Sequence, residues 1–287
     1  MAVKGIKEVA VIGAGLMGSG IAQVIAEAGF KTIWVDISRE QLDKGRGTIE
    51  KLLNRKIEKN TMTVEEKEQA LSLLNDSTDL SVISTADIII EAVTENLELK
   101  KKVFKQIDEL AKEDAILATN TSALSIAAIG SVLKKPERFI GAHFFYPVPV
   151  FELMEIIPSI LTSQNVTDTM IHFSEAIKKT PVLCKDYPGF IVNRLLIPMV
   201  NEAAFLVMEG VEPKDVDAAM KLGANHRMGP LALADFVGID TLLATMEGIQ
   251  DGFNDSKYRP CPLLIRMVEA GTIGRKSGKG FYDYTTS

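Results

Sequence analysis

Two polar side chains in apolar segments are the residues of this sequence best suited to acid–base chemistry. His143 lies in the apolar run 139–145, and Glu155 lies twelve residues further on in the run 153–157. An imidazole exchanges protons near neutral pH, whereas a carboxylate in apolar surroundings must be paired or it takes up a proton. If two neighbouring strands carry these residues, Glu155 orients the His143 ring and stabilises its protonated form. The sequence therefore predicts a proton-transfer pair, with a hydrogen-bonded core histidine and a solvent-facing carboxylate as the alternatives.

A glycine-rich turn near the start of the chain has the pattern of a dinucleotide-binding loop. It follows the apolar run 8–12, opens a helical pattern and precedes a second predicted strand at 32–36. The first glycine permits a tight turn, the second lets a pyrophosphate approach the backbone, and the third lets the helix pack on the strand. The glycines are Gly13, Gly15 and Gly18. This context favours a dinucleotide site, with unpaired N–H groups of the helix facing the phosphates, over a glycine turn without a ligand.

Asp36 ends the second predicted strand and bears on which dinucleotide is bound. It follows the glycines at close to the spacing of about 20 residues that is typical of a ribose-binding acid. Its carboxylate would accept hydrogen bonds from both ribose hydroxyls and would repel a 2′-phosphate. The sequence therefore predicts NAD in preference to NADP, although the nearby Arg39 weakens that preference.

Polar residues also stand where further strands are predicted to end. Glu95 follows the predicted strand 87–91, residues 120–122 follow the strand 115–118, and His143 lies in a third strand. Ligands of parallel α/β sheets bind beyond the carboxyl ends of the strands. We therefore expect the functional site at this edge of the sheet.

The order of the predicted elements indicates two domains. Strands and helices alternate over the first part of the chain, which predicts a Rossmann-type, doubly wound, mostly parallel α/β sheet. The remaining residues have a helical, apolar pattern. The sequence therefore predicts an NAD-binding domain at 1–185, with a charged helical hairpin inserted at about 39–75, and an all-helical C-terminal domain at 186–287.

Composition and charge argue against several classes of protein. The 287 residues include 38 acidic and 32 basic side chains, and the formal charge of −6 argues against nucleic-acid binding. No apolar run reaches the ~18 residues of a membrane span, and the N-terminus has no signal-peptide pattern. The two cysteines form no Cys-x-x-Cys pair, which argues against a metal site and a disulfide framework. We therefore expect a cytoplasmic protein with no metal, no membrane anchor and no nucleic-acid partner.

Motifs over essentially the whole chain resemble those of the short-chain L-3-hydroxyacyl-CoA dehydrogenases. Within that family, the sequence is most similar in character to the 3-hydroxybutyryl-CoA dehydrogenases of bacterial butyrate metabolism. The motifs are Gly-Ala-Gly-Leu-Met-Gly-Ser-Gly at 13–20, Asn-Thr-Ser at 120–122, His-Phe-Phe at 143–145, Pro-Val-Pro at 147–149, Pro-Gly-Phe-Ile-Val-Asn-Arg at 188–194, Met-Gly-Pro at 228–230 and Gly-Lys-Gly-Phe-Tyr at 278–282. They recur in the family's order and at compatible spacing, so the match is far more specific than the glycine turn alone.

The resemblance implies four catalytic residues, with NAD as the cofactor. It assigns proton transfer to His143, orientation of the histidine to Glu155, a hydrogen bond to the reacting oxygen to Ser122, and help in holding substrate and histidine to Asn193. It also implies cofactor roles for Glu95, Lys100, Asn120 and Lys276. With the residues of the glycine turn and the second strand, the predicted cofactor-binding residues are Gly13, Gly15, Leu16, Met17, Gly18, Asp36, Glu95, Lys100, Asn120, Ser122 and Lys276. The implied reaction interconverts a short-chain (S)-3-hydroxyacyl-CoA and its 3-oxoacyl-CoA, with 3-hydroxybutyryl-CoA and acetoacetyl-CoA as the expected pair.

The resemblance also implies an acyl-CoA substrate. Its phosphates would bind the basic face of the hairpin at Lys56 and Lys59, and an ordinary solvent-exposed helix face is the alternative. Two departures leave the acyl group open, because Tyr146 replaces an Asn that contacts acyl-CoA in the family and Glu152 replaces a basic residue. A dehydrogenase of a non-CoA 3-hydroxy acid, such as a carnitine-like compound, and a non-catalytic NAD-binding protein are therefore the alternatives. The wide apolar stripe of the C-terminal domain predicts a homodimer formed through that domain.

Overall fold

The computed structural model describes residue 3 and residues 5–285 of the chain. These residues separate into two compact units, the first ending at Asp186 and the second beginning at Tyr187. Within this described part, no helix has both the length and the apolar character needed to cross a membrane.

The first unit is built on one eight-stranded sheet. Its strands are β1 (Glu8–Ile12), β2 (Lys31–Val35), β3 (Leu74–Ser77), β4 (Ile88–Glu91), β5 (Ile116–Thr119), β6 (Phe139–Phe144), β7 (Leu153–Pro158) and β8 (Thr180–Leu183). They lie in the order β3-β2-β1-β4-β5-β6-β7-β8 and are paired in parallel, except that β6 and β7 are antiparallel. The strand order changes direction between β1 and β4, which is where doubly wound sheets open a crevice for a dinucleotide. The predicted Rossmann-type, mostly parallel fold is confirmed.

Helices cover this sheet because its central strands are mostly apolar and are buried along their whole length. Every residue of β1, β4 and β5 is buried, as expected for parallel strands that are enclosed on both faces. The helices of the first unit are α1 (Leu16–Glu27), α2 (Arg39–Glu58), α3 (Val64–Leu73), α4 (Leu97–Leu110), α5 (Ile126–Gly130) and α6 (Gln164–Ala176). The helix α1 follows the glycine turn directly, so its N-terminus faces the crevice.

The helices α2 and α3 occupy the segment between β2 and β3. The Ser38 side chain caps the N-terminus of α2, and α3 begins at a capping box formed by Thr63 and Glu66. The segment ends differently from the sequence expectation, because Leu74–Ser77 forms the edge strand β3, paired in parallel with β2. The sequence shows no sign of this strand because it contains a single apolar residue, which suffices at the partly exposed edge of a sheet.

The second unit is helical, and two buried carboxylates hold its C-terminal segment. Its helices are α7 (Val192–Met208), α8 (Pro213–Gly223), α9 (Pro230–Val237), α10 (Ile239–Phe253) and α11 (Pro262–Glu269). Asp217 accepts a 2.8 Å hydrogen bond from the Tyr282 hydroxyl, and Asp235 accepts 2.9 Å bonds from the backbone N–H groups of Phe281 and Tyr282. The predicted helical C-terminal architecture is confirmed, with two isolated β-bridges among residues 274–283 in addition.

Candidate active site

His143 and Glu155 form a buried hydrogen-bonded pair at the centre of the candidate site. They stand directly opposite each other in the antiparallel ladder of β6 and β7. The Nδ1 atom of His143 lies 2.7 Å from Oε2 of Glu155, and the two residues are 4% and 0% exposed. Because the carboxylate accepts at Nδ1, a neutral ring carries its proton there, and Nε2 becomes the nitrogen that takes up a proton. The pairing predicted from the two apolar segments is therefore present.

The Ser122 loop, residues 120–125 between β5 and α5, is held by Glu95. One carboxylate oxygen of Glu95 accepts hydrogen bonds from the Thr121 hydroxyl at 2.6 Å, from the Ser122 backbone N–H at 2.8 Å and from the Ala123 N–H at 3.3 Å. The other oxygen, Oε2, lies 3.5 Å from Nζ of Lys100, and the Glu95 side chain is 40% exposed. The structure shows Glu95 holding the Ser122 loop, while its predicted contact with the cofactor stays a prediction.

Lys100 is fully buried and joins the ends of β4 and β5. Its ammonium group lies 2.7 Å from the carboxylate of Glu91, which is also fully buried, and donates to the carbonyls of Asn120 at 3.2 Å and Val93 at 3.4 Å. Burial raises the pKa of Glu91, against the opposing effects of the Lys100 charge and of the hydrogen bond from Thr119. The direct cofactor contact predicted for Lys100 stays a prediction. What the structure shows is a buried ion pair beneath the loops of the site.

Asn120 connects the Ser122 loop to the histidine strand. Its side-chain oxygen accepts a 2.9 Å hydrogen bond from the backbone N–H of Phe144, the residue after His143. Phe145 packs against the imidazole with 4.4 Å between the ring centroids. The positions of Ser122 and His143 are therefore linked through the backbones of two neighbouring strands.

The glycine turn fits a dinucleotide pyrophosphate. Gly13 has a φ of +112°, and a Cβ atom there would lie 2.6 Å from the Ala92 carbonyl oxygen, so only glycine is accommodated. A Cβ atom on Gly18 would collide with the carbonyl of Gly13, whereas one on Gly15 would meet nothing within 4 Å. The open space at Gly15 is where a pyrophosphate would approach the N-terminus of α1. Leu16 and Met17 form the first turn of that helix, and Leu16 is 70% exposed.

A cavity beside this turn fits the adenosine half of NAD. Its volume is about 570 Å³, and its lining includes Gly13, Gly15 and Asp36. The Asp36 carboxylate accepts 2.7 Å and 2.9 Å hydrogen bonds from the backbone N–H groups of Ala14 and Ser38, one to each oxygen. Each oxygen can accept a further bond, so the residue both shapes the loop and can bind the ribose hydroxyls.

Arg39, which weakened the preference for NAD in the sequence, is engaged elsewhere. Its guanidinium pairs with Asp76 at the end of β3, as does that of Arg46. Partial burial raises the pKa of Asp76, but the hydrogen bonds from Arg46 and Arg39 outweigh this and leave the pKa below its usual value. The Arg39 charge is therefore compensated within the protein, and the argument for NAD from Asp36 is strengthened.

Two predicted site residues belong to the second unit. Asn193 lies in the first turn of α7 and is half-buried. Lys276 lies in the segment after α11, where its ammonium group is 2.6 Å from Oδ2 of Asp240. Their predicted roles stay predictions.

Apart from Ser122, the predicted substrate residues of the first unit lie in two segments. Lys56 pairs with Glu27 at 2.5 Å, whereas Lys59 stands at the C-terminal end of α2 and is exposed. Tyr146 is 49% exposed and precedes a cis proline in the loop between β6 and β7. In the described part of the chain, no group of three or more His, Cys, Asp or Glu side chains is arranged to bind a metal ion.

Comparison with known proteins gives a consistent result over nearly the whole chain. Residues 8–187 match the model of the 3-hydroxyacyl-CoA dehydrogenase NAD-binding domain, and residues 189–284 match that of the 3-hydroxyacyl-CoA dehydrogenase C-terminal domain. A probable 3-hydroxybutyryl-CoA dehydrogenase of Deinococcus radiodurans is 48% identical, covering 96% of this chain and 99% of its own. One of Bacillus subtilis is 47% identical, covering 97% and 98%.

A solved structure agrees with these relatives. The crystal structure of (S)-3-hydroxybutyryl-CoA dehydrogenase from Ralstonia eutropha has a TM-score of 0.95 and 45% sequence identity, covering 98% of this chain and all of that chain. The resemblance inferred from the motifs is thereby confirmed, as are NAD as the cofactor and the class of enzyme. This chain belongs to the family of NAD-dependent 3-hydroxyacyl-CoA dehydrogenases.

Proposed function

We propose that this chain interconverts (S)-3-hydroxybutyryl-CoA and acetoacetyl-CoA with NAD as the hydride carrier. The observation that carries the proposal is the buried pair of His143 and Glu155, 2.7 Å apart, at the carboxyl edge of a dinucleotide-binding sheet. A non-catalytic NAD-binding protein has no need of a buried base whose proton position is set by a carboxylate. The names of the similar bacterial chains support a short acyl group.

In the direction of oxidation, His143 takes the proton of the substrate 3-hydroxyl on Nε2. NAD, when bound, would supply the nicotinamide ring needed to accept the hydride from C3. Glu155 holds the ring and stabilises the imidazolium that forms, while Ser122 hydrogen-bonds the reacting oxygen and Asn193 helps to hold substrate and histidine. In the reverse direction His143 returns the proton to the oxygen of the 3-oxo group.

Cofactor binding in this proposal begins at the glycine turn and at Asp36. Three further residues are proposed to contribute to cofactor binding, namely Glu95, Lys100 and Asn120. Each is hydrogen-bonded to the segment around Ser122 or to the end of the neighbouring strand β6. Lys276 contributes from the second unit. We further propose that the N-terminal unit binds the cofactor and that the helical unit contributes to substrate binding.

The CoA phosphates are proposed to meet Lys59 more strongly than Lys56. Both lie near the end of α2, but the charge of Lys56 is compensated by Glu27 at 2.5 Å. A paired lysine offers a phosphate less attraction, because the phosphate must compete with the carboxylate.

A homodimer formed through the helical unit is also proposed. Large apolar side chains remain exposed there, with Leu195 and Leu206 on α7 at 71% and 39% and Leu222 on α8 at 86%. Such side chains are typical of surfaces that pack against another copy. A monomer in sedimentation at micromolar concentration would contradict this. A cytoplasmic setting in fatty acid and butyrate metabolism completes the proposal.

A steady-state assay tests the substrate directly. NADH oxidation is followed with acetoacetyl-CoA and, separately, with free acetoacetate. We expect turnover of the CoA ester, and turnover of the free acid alone would contradict the proposal in favour of a non-CoA 3-hydroxy acid.

Tyr146 is the observation that keeps this second candidate open, since a half-exposed aromatic ring follows the catalytic strand. In Tyr146→Asn, improved turnover of acetoacetyl-CoA would mean that Tyr146 adjusts the acyl site.

A further inference from the structure

Asp186, the last residue of the first unit, holds the backbone that follows the Ser122 loop. Its Oδ1 accepts a 2.8 Å hydrogen bond from the Ile126 N–H, and its Oδ2 accepts a 2.8 Å bond from the Ala127 N–H. The Ser125 hydroxyl lies 3.3 Å from the same Oδ2. These bonds span about 60 residues of sequence, so they form only in the folded chain.

The loop is therefore held by a carboxylate on each side of it. Glu95 accepts from the backbone N–H groups of Ser122 and Ala123, and Asp186 accepts from the Ser125 hydroxyl and from the backbone N–H groups of Ile126 and Ala127, at the start of α5. Between these two points, the Leu124 N–H donates to the Thr121 hydroxyl at 3.0 Å. Nearly every backbone donor from Ser122 to Ala127 thus has a defined acceptor, and the loop has little freedom to shift.

We propose that Asp186 is a positioning residue for the reaction. By holding residues 125–127, it keeps the Ser122 hydroxyl in place to hydrogen-bond the reacting oxygen. The inference rests on the proposed function, in which Ser122 hydrogen-bonds that oxygen. A displacement of about 1 Å at a reacting centre lowers rates by about a hundredfold. In this proposal the contacts of Asp186 limit such a displacement in addition to those of Glu95.

The chemistry of the contact requires a carboxylate. Asp186 faces two backbone N–H donors, one on each oxygen, and an ionised carboxylate offers only acceptors. In Asp186→Asn one of these positions becomes an NH₂ group that points at another donor. The variant therefore keeps the size of the side chain and loses at least one of the two bonds.

Asp87→Asn is the matched control. Asp87 also accepts hydrogen bonds from two consecutive backbone N–H groups, those of Lys7 at 2.7 Å and Glu8 at 3.0 Å, both on Oδ2, while its Oδ1 pairs with the Lys112 ammonium group at 2.6 Å. It precedes β4, at the amino edge of the sheet opposite to the site. Asp87→Asn disturbs two backbone hydrogen bonds and an ion pair, so it should cost at least as much stability as Asp186→Asn without touching the Ser122 loop.

The test measures kcat and KM for acetoacetyl-CoA and NADH in Asp186→Asn, Ser122→Ala and the double variant. We expect Asp186→Asn to lower kcat by about tenfold or more, with the KM for NADH within about twofold of the unmodified enzyme. When Ser122 is already replaced by Ala, Asp186→Asn should lower kcat by at most about a further twofold, because Asp186 acts through Ser122. Asp87→Asn should leave kcat within about twofold.

The inference is overturned if Asp186→Asn lowers kcat by the same factor with Ser122 present and with Ser122→Ala, or if Asp87→Asn lowers kcat as much as Asp186→Asn does. Either result leaves the proposed function intact. Absence of acetoacetyl-CoA turnover by the unmodified enzyme overturns both. If Asp186→Asn does not fold, Ser125→Ala replaces it, since it removes the hydroxyl that donates to Asp186 and that also accepts from the Ala128 N–H at the N-terminus of α5. It should lower kcat by about twofold to fivefold, again only when Ser122 is present.

Discussion

The Nδ1 atom of His143 and Oε2 of Glu155 lie 2.7 Å apart, and almost no water reaches either side chain. When the imidazole takes up a proton, the pair becomes an ion pair in surroundings of low polarity, where opposite charges attract strongly. When it releases the proton, the carboxylate keeps a hydrogen bond from Nδ1. The geometry therefore suits a group that must hold a proton for part of each catalytic cycle.

Removing either partner should abolish most of the turnover without affecting cofactor binding. We expect His143→Ala to lower kcat for acetoacetyl-CoA by about a hundredfold or more, and Glu155→Gln to lower it by about tenfold to a hundredfold. The dissociation constant of NADH, measured by fluorescence titration, should stay within about twofold, because neither residue lines the cavity beside the glycine turn. Substantial turnover in His143→Ala would mean that this histidine is only structural.

Asp36 should determine the choice between NADH and NADPH. In Asp36→Ser the repulsion of a 2′-phosphate and one ribose acceptor are both lost. We expect the ratio of kcat/KM for NADH to that for NADPH to fall by about tenfold or more, which corresponds to about 1.4 kcal/mol. Glu50→Gln on α2 makes the same change of charge outside the cavity lining and serves as the control. An unchanged ratio in Asp36→Ser would contradict the role of Asp36.

The parts of this molecule that could be predicted from sequence depend on local patterns. A strand, a glycine turn, a helix and an acid at the end of the next strand follow within the first 36 residues, so the dinucleotide fold is visible without tertiary information. The pair of His143 and Glu155 was accessible for a related reason. Two buried polar residues in apolar strands joined by a short connection have few partners other than each other.

The supporting contacts could not be predicted because they depend on tertiary structure. Lys100 lies in a lysine-rich helix whose pattern is that of a solvated face, yet it is fully buried on Glu91. Asp186 meets residues about 60 positions away. Lys56, which looked like a free phosphate ligand, is paired with Glu27. Each contact is set by how the elements pack, which periodicity and composition do not encode.

The buried pair of Glu91 and Lys100 should be required for the stability of the first unit. Replacing one member leaves the other as an uncompensated buried charge, so we expect Lys100→Met to lower the free energy of unfolding by about 3–5 kcal/mol. The double variant Glu91→Gln with Lys100→Met should regain part of that loss, because no lone charge remains. Urea denaturation followed by circular dichroism measures both effects, and Lys101→Met on the same helix is the control. A loss in Lys100→Met no larger than in Lys101→Met would contradict this interpretation.

Tyr282 should make the stability of the second unit sensitive to alkaline pH. Burial and the hydrogen bond to Asp217 raise the pKa of Tyr282 above its ordinary value of 10.0. In the unfolded chain the phenol ionises near that ordinary value, while in the folded chain it stays protonated. Its contribution to stability is therefore fully present below about pH 10 and is lost progressively as the pH rises towards the folded pKa.

Tyr282→Phe separates the hydrogen bond from the titration. At pH 8 the variant should be less stable by about 1 kcal/mol, because Asp217 loses one donor. Above about pH 10, its free energy of unfolding should fall less steeply with pH than that of the unmodified protein. A residual slope is expected from Tyr284, whose pKa is also raised by burial and by Asp235. Urea titrations at pH 8, 10 and 11 measure the two slopes, and parallel slopes would show that the Tyr282 phenol does not titrate differently in the folded and unfolded chains.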